Sequence, residues 1–454
     1  MQAAVISGTL ERFIEKSVDD FLSSKKYRDI VMREQYYLGE NPTLAAYLSR
    51  LEMDSETVDL FAKIRVPSGI FNRIITLLVN RLWFNGVQLD TPELKKKLGD
   101  NFDKTAKDIA TKAAVHGACY GFWNNDFIQL FAATEYFPLA DERTGAHMAG
   151  IRAYTNEPED ENHPWVIQLF EIDGYTEWSR VGTKPLKLFM PKRSYKRTVR
   201  RDALGEEVIG GENYPSYPVL PMYANTEHKS ELSPPIKQKI DLYDALYTTF
   251  GDMSLRTKVL YWLLEGMSGN EEHLKSIKET IERLGIIAPR GDAKASAENV
   301  SLPYKEFMEF LDDIEDTIFS DAMIANPKKI TGGAITATAI SAYYHAEKLK
   351  VSDAEWNGWD FINRLLKLLG LESDKIEFKH ETISSDMEIT QRVNQYNLPI
   401  EIAMELDPLF KDDAIPKYLD IIAKESLGMS SKDEEDEELT GGDDTDGRRN
   451  YIDE

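Results

Sequence analysis

The spacing of apolar positions changes character along the chain and divides it into zones. Over residues 7–26, Leu10, Phe13, Ile14, Val18 and Phe21 recur on one side of a helical period, which predicts an amphipathic helix. A second helix is expected from Tyr27 to Tyr37, stopping at Gly39-Glu40-Asn41-Pro42. Phe71 to Trp83, FNRIITLLVNRLW, is strongly apolar and reads as a buried helix before a turn at Asn85-Gly86. Residues 92–116 read as one further helix ending at His116-Gly117. From Tyr120 to about Val219 short apolar runs alternate with turn signals: FWNNDFIQLFAA, GIRAYT, PWVIQLFEID, YTEWSRV and LKLFMPKRSYKRTVR. That is the pattern of strands and hairpins. Helices followed by a β-rich segment make an α+β chain, mainly helical.

The helical period returns after Ser233-Pro234-Pro235, a cap with proline in the first turn. Ile236, Ile240, Tyr243, Tyr247 and Phe250 form a near-heptad seam, so this helix should pack along a neighbour for its whole length. If continuous to about Leu264 it would be roughly 45 Å long. An insert follows between Gly266 and Pro303. Its expected parts are a short helix from His273 to Leu284, a strand at Gly285-Ile286-Ile287-Ala288-Pro289, a turn at Arg290-Gly291-Asp292 and a strand from Glu298 to Leu302. A return helix carries Phe307, Leu311, Ile314 and Ile318 on one face. Its other faces hold Glu306, Glu309, Asp312, Asp313, Glu315, Asp316 and Asp321. Asn326-Pro327-Lys328-Lys329-Ile330-Thr331-Gly332-Gly333 reads as a loop. The next helix starts at Ala334 and runs to about Leu369, with Gly370 as its C-terminal stop. Ser352-Asp353-Ala354-Glu355 has the capping-box form and predicts a kink or restart. Ile376 to Lys379 reads as a strand, and residues 386–426 as helix broken near Pro399, Pro408 and Pro416. The acidic, glycine-containing tail, 429–454, reads as disordered.

At 454 residues the chain exceeds what one compact core usually serves, so two or more domains are expected. A formal charge of −24 argues against a protein that coats nucleic acid generically. The single cysteine, Cys119, excludes an intramolecular disulfide and argues against a cysteine-based zinc site, as suits a reducing cytosol. The N-terminus shows no basic stretch followed by an apolar core, and no apolar run is long enough to span a membrane.

Searches for chemistry return little. No phosphate-binding loop, zinc-protease, serine-hydrolase or calcium-loop motif is present. Cys119 near His116 fits no catalytic spacing and reads as a small buried apolar residue. The carboxylates at 306–321 have the chemistry to bind a divalent metal, but acidic helix faces are usually solvated. The basic run from Lys192 to Arg201, with Tyr195 inside it, has the composition of a nucleic-acid contact; a strand whose charges pair with acidic neighbours is the favoured reading. No cofactor and no metal is expected.

The order of these pieces is more specific than any one of them. Tyr36-Tyr37-Leu38-Gly39 comes first, then the helix from Asn72 to Trp83 ending near Gly86, then His116-Gly117 and Tyr120-Gly121 before β-structure. Pro218-Val219 and Tyr223-Ala224-Asn225 lead to the long helix with Ile240-Asp241-Leu242-Tyr243-Asp244. The insert, the acidic return helix and Gly332-Gly333-Ala334-Ile335 follow, with Gly332-Gly333 standing where Ser-Gly is usual. In this order, over roughly 27–426, the chain resembles the portal (head-to-tail connector) proteins of long-tailed bacteriophages, of the type found in phages of Gram-positive hosts.

The resemblance implies a ring, commonly of twelve subunits, around a channel for double-stranded DNA. It implies an N-terminal helical arm (1–26), a wing (27–232), stem helices (233–264 and 304–325) and a clip (265–303). It further implies a tunnel loop (326–334), a long kinked helix completing the wing (335–379), a crown (380–428) and the tail (429–454). Asn326, Lys328, Lys329, Thr331, Gly332 and Gly333 would line the channel at the loop, with Glu309, Asp312, Asp313 and Asp316 as acidic channel-facing candidates. Glu282, Arg283, Arg290, Asp292 and Lys294 are candidates on the clip for docking the packaging motor or an adaptor. Implied partners are the large terminase subunit, scaffold and major capsid protein, and a head-completion protein. The place is the capsid vertex of the virion, after assembly in the host cytoplasm, with no membrane and no catalysis. Two alternatives stay open on residues alone: a metal-dependent nucleic-acid enzyme using the 306–321 carboxylates, and an adaptor whose acidic tail binds a basic partner.

Overall fold

The computed structural model describes residues 9–44, 65–140, 147–256, 261–265, 294–298, 304–329 and 344–378, apart from a few positions within those stretches. The chain divides into two units, Met1–Ala334 with Ala342–Glu381 and Ile335–Ser341 with Thr382–Glu454. The second lies almost wholly outside the described residues, and every element below belongs to the first.

Helices α1 (Thr9–Ser23) and α2 (Lys25–Leu38) meet at Ser24, whose Oγ accepts the Tyr27 amide at 3.0 Å and caps α2. Helix α3 (Ile70–Leu82) buries Phe71, Ile74, Ile75, Leu78, Val79 and Leu82. At about 1.5–3 kcal/mol per buried side chain, it is the main apolar contributor among the described helices. After strand β1 (Val87–Leu89), the single helix expected over 92–116 is two, α4 (Pro92–Lys97) and α5 (Phe102–His116). Gly99 stands between them with φ +89°, a left-handed conformation that an α-helix cannot contain. Helix α5 ends at Gly117, φ +100°, where an added Cβ would lie 2.9 Å from the His228 carbonyl oxygen. Only glycine lets the chain turn there while residues 228–230 pack against it.

The β-rich zone follows. Strands β2 (Ala118–Trp123) and β3 (Ile128–Phe131) form a hairpin. Strands β4 (Tyr136–Ala140), β5 (His147–Tyr154), β6 (Trp165–Glu171), β7 (Gly174–Arg180) and β8 (Lys187–Arg193) form an antiparallel meander in sequence order. Strands β9 (Lys196–Asp202) and β10 (Gly205–Glu212) make a two-stranded ribbon. Strand β11 (Val219–Tyr223) returns to pair with β2. Two layers are joined by rings: Phe122, Phe131, Phe170, Tyr175 and Tyr195 sit with neighbouring centroids 5.1–5.9 Å apart. The outer face of the meander packs Ile151, Ile167, Leu169 and Trp178 against Ile14 and Val18 of α1.

Helix α6 runs from Pro234 to Arg256, and Tyr261–Glu265 is a strand, β12. The helix therefore does not continue to Leu264. The run Tyr-Trp-Leu-Leu-Glu pairs antiparallel with β13 (Lys294–Glu298); the expected strand from Glu298 to Leu302 lies, beyond Glu298, outside the described residues. Aromatic residues suit a ladder better than a helix end. The expected helix at 273–284 and strand at 285–289 lie outside the described residues.

Helix α7 (Tyr304–Asp321) returns along α6, with Phe250 stacked on Phe307 at 4.1 Å. The seam is real for Ile236, Ile240 and Tyr243, which are buried together with Leu311, Ile314 and Ile318, but Tyr247 faces outward. A 3-10 turn (Pro327–Lys329) follows, then α8 (His345–Leu368) and β14 (Ile376–Phe378), which pairs with β1. Helix α8 passes through Ser352–Glu355 without the expected break. Asp353, inside the box, uses its carboxylate to accept the Thr226 hydroxyl at 2.6 Å. Among the described residues, no helix is long and apolar enough to cross a membrane.

Candidate functional site

The residues singled out between α7 and α8 converge on one network of ion pairs. Asn326 is buried; its Nδ2 donates to Asp316 Oδ1 at 2.7 Å, and its Oδ1 accepts the Lys328 amide at 3.1 Å. This local bond closes the 3-10 turn. Lys328 Nζ reaches Glu315 at 2.7 Å and Asp312 at 3.8 Å, and Lys329 Nζ reaches Asp316 at 2.6 Å. Glu315 is only 1% exposed and also accepts from Arg73 of α3 at 2.9 Å. About two turns further along α3, Arg81 Nε donates to Glu347 of α8 at 2.8 Å, and its guanidinium lies 5.0 Å over the Tyr344 ring. The second Glu347 oxygen accepts the Ala325 amide at 2.8 Å. Three helices and the turn are thereby fixed to one another by buried carboxylates, each of which needs its partners to offset desolvation. A cleft of about 430 Å³ opens beside the network, lined among others by Asp316, Phe319, Met323, Lys329 and Glu347.

The placement of the other candidates is mixed. Glu309, Asp312 and Asp313 are exposed, Glu309 lying 3.7 Å from Lys305, whereas Asp316 is half-buried in the network. The acidic faces of the return helix are thus not uniformly solvated, because Glu315 occupies the core side. Lys294 opens β13. Thr331, Gly332, Gly333, Glu282, Arg283, Arg290 and Asp292, the helix start at Ala334, the crown and the tail lie outside the described residues. Among the described residues, no three histidine, cysteine, aspartate or glutamate side chains are grouped to hold a metal ion.

A second polar cluster joins segments 205 residues apart. The Tyr36 hydroxyl donates to Asp241, and Lys237 Nζ reaches Asp241 at 2.7 Å. Asp244, 1% exposed, accepts from Asn41 Nδ2 at 2.6 Å and from the Ser68 amide at 2.9 Å. Burial pushes the Asp244 carboxyl up, against the hydrogen bonds from Asn41 and Ser68. Asp241 and Asp244 sit one turn apart on α6, so both meet the segment that ends α2 and follows it.

A third cluster sits where α2 meets α5. Glu34 accepts from His116 Nε2 at 2.7 Å and from Lys112, while Arg33 donates to the His116 carbonyl at 3.1 Å. Burial alone would raise the Glu34 carboxyl. The hydrogen bonds and charges of His116 and Lys112 outweigh it and hold the group down at about 2. His116 is thus engaged by Glu34. Cys119 is buried, donates to the Phe131 carbonyl at 3.4 Å, and has its thiol pushed far up by burial, the opposite of what a nucleophile needs.

The basic run also has internal partners. Lys192 bridges Glu171 at 2.9 Å and Asp173 at 2.5 Å, and Lys196 lies 4.9 Å over the Tyr214 ring. The β9–β10 register sets Arg200 and Arg201 opposite Glu207 and Glu206. Tyr195 points inward, its hydroxyl donating to the Glu171 carbonyl at 2.5 Å.

Arg73, Arg81 and Glu347 do not stand out in the sequence as site residues, and Glu315 enters there only among the 306–321 carboxylates weighed for metal. One signal was available: Glu315 stands four after Leu311 and three before Ile318, so it falls on the buried seam.

In comparison with known proteins, the family model described as "Phage portal protein, SPP1 Gp6-like" matches residues 23–417. No curated protein matches the chain.

Proposed function

Because the chain belongs to the phage portal protein family of the SPP1 Gp6-like type, we propose that it forms a ring at a capsid vertex through which double-stranded DNA is packaged and ejected. The family match over residues 23–417 carries this reading. The antiparallel pair α6–α7 supports it: the pair is buried on one side, while Leu242, Tyr247, Tyr304 and Phe310 stay exposed on the chain alone. Neighbouring copies in a closed ring would cover such surfaces. In this reading the protein is a conduit and docking platform and performs no catalysis. The exposed Glu309, Asp312 and Asp313 repel the duplex, because a channel that neutralised many phosphates would hold DNA rather than let it slide. The segment around β12 and β13, 265–303, docks the packaging motor and later the head-completion protein. Scaffold and major capsid protein meet the ring elsewhere, and twelve is the expected subunit number.

Native mass spectrometry with negative-stain imaging of the purified protein tests the ring. A closed assembly with a central hole wide enough for a duplex supports it. A chain that stays monomeric both at high concentration and when co-expressed with scaffold and capsid protein overturns it.

Lys328 and Lys329 form a sparse positive collar in this reading, each already shared with a carboxylate. Changing both to methionine removes the charge but not the aliphatic stems, and should slow packaging or shorten the packaged genome without preventing ring formation. Changing both to glutamate adds repulsion against Glu315 and Asp316 and should also loosen the turn. If packaging rate and genome length stay at wild-type values in the methionine variant, the collar has no role.

A further inference from the structure

Tryptophan is seldom left in water, yet Trp356 on α8 is 66% exposed and Trp359 38% exposed. Their rings meet edge to face at 6.1 Å. Leu349, 56% exposed, stands about two helical turns before Trp356, and exposed Ser352 lies between them. These residues form a stripe along the outer face of α8, opposite the buried positions Val351, Phe361, Ile362 and Leu365. Among the described residues, nothing in the packing of this unit covers the stripe.

The charges around the stripe are unusual for this protein. Lys348 and Lys367 are exposed on α8, and Arg364 is exposed within an ion pair. The carboxylates of the helix are engaged: Glu347 is buried on Arg81, Asp353 holds Thr226, Asp360 pairs with Arg364 at 2.8 Å, and Glu355, beside the stripe, is half-buried with a partner of its own. The chain as a whole carries 78 acidic against 54 basic residues. A face that is apolar at its centre, with Lys348 and Lys367 as the excess charge at its rim, is complementary to the acidic surface of the rest of the molecule. It has the composition of an interface core, where tryptophan and arginine supply most of the binding energy.

We propose that the α8 stripe of Leu349, Trp356 and Trp359 is a lateral contact between copies of this chain, seated on a different, acidic face of the next subunit. The inference rests on the ring reading and deepens it. A ring closes through two unlike surfaces per subunit, and this assigns one of them. Self-repulsion of a strongly acidic chain favours a contact of this kind over one that sets like charge against like charge.

The test uses the full chain. Trp356→Ala with Trp359→Ala should weaken each subunit contact about 30-fold, the order expected for losing a hot spot. Because the contact repeats around the ring, the ring fraction in native mass spectrometry should fall to background, while circular dichroism and the thermal midpoint stay at wild-type values. A second variant leaves the tryptophans in place. Ser352→Cys adds an exposed thiol to a chain whose only other cysteine is buried. The new thiol should react with maleimide in the monomer and be protected about tenfold or more in the ring, as for a group desolvated at an interface core. Wild-type rings together with a Ser352→Cys thiol that reacts equally fast in ring and monomer overturn the proposal and leave the ring reading standing. Unimpaired ring formation by the double alanine variant does the same. If the alanine variant forms rings but fails to enter capsids, the stripe belongs to a capsid or scaffold partner and the proposal is again overturned. Absence of wild-type rings would instead remove the premise.

Discussion

Replacing Arg81 with alanine should cost about 3–5 kcal/mol of unfolding free energy, the range for stripping a buried carboxylate of its cation. Glu347 is 5% exposed at its side chain and has two partners, Arg81 and the Ala325 amide. Without the guanidinium the amide alone must offset a buried negative charge, and α8 loses its electrostatic tie to α3. The stacking of Arg81 over Tyr344 is lost as well. Arg81→Met combined with Glu347→Gln should recover most of the loss, because the neutral amide leaves no stranded charge and its oxygen still accepts the Ala325 N–H. Urea unfolding followed by tryptophan fluorescence reads both variants. A loss below about 1 kcal/mol for Arg81→Ala, as for a surface pair, would show that the bridge is solvated in solution.

Glu34 sets the second large effect, which depends on pH. Its carboxyl is held at about 2 in the folded chain, below its ordinary value of 4.5. A group depressed on folding stabilises the native state fully above its unfolded value and loses that stabilisation as pH falls through the folded one. With solvent screening of this partly exposed cluster the expected contribution is about 1–2 kcal/mol at neutral pH, declining between roughly pH 4.5 and 2. Glu34→Gln should therefore lower stability at pH 7 and flatten the acid limb of the stability profile. If the variant and the wild-type chain lose stability in parallel down to pH 2, the His116–Glu34–Lys112 cluster is not the source of acid sensitivity. Asp244 acts with the opposite sign: burial raises its carboxyl, so its ionised form is the less favoured one in the fold and protonation relieves it.

Much of this architecture is legible from periodicity because single residues enforce it. Gly39 and Gly117 end their helices where the chain must turn, and Leu311, Ile314 and Ile318 repeat on the face that packs. The misreadings come from competition between local and distant contacts. Residues 92–116 have helical composition throughout, and one glycine conformation at Gly99 divides them. Tyr261–Glu265 continues a helical seam on paper, but a strand some thirty residues later claims it. The capping box at Ser352 lies inside a continuous α8, whose buried positions Val351, Phe361 and Ile362 keep one helical face packed across it. For the candidate site, Lys328, Lys329 and Asp316 stand out as charges around a proline and glycines. Arg73, Arg81 and Glu347 do not, since an arginine on an apolar helix and a glutamate at a helix start acquire meaning only when α3, α7 and α8 come together.

The pairing of β1 with β14 has a consequence for synthesis. Val87 lies opposite Phe378, and the Phe378 ring meets Trp83 edge-on at 5.1 Å, so the end of α3 is covered by residues made roughly 290 positions later. At ribosomal rates that delay is about 15–60 s. The end of α3 cannot be covered during that time, and the long sequence separation of this contact slows its closure further. A nascent subunit is thus held open until most of its sequence has left the ribosome. Copies growing on one message therefore meet as incomplete chains whose outer surfaces have not yet formed, and any assembly between copies is deferred to finished subunits.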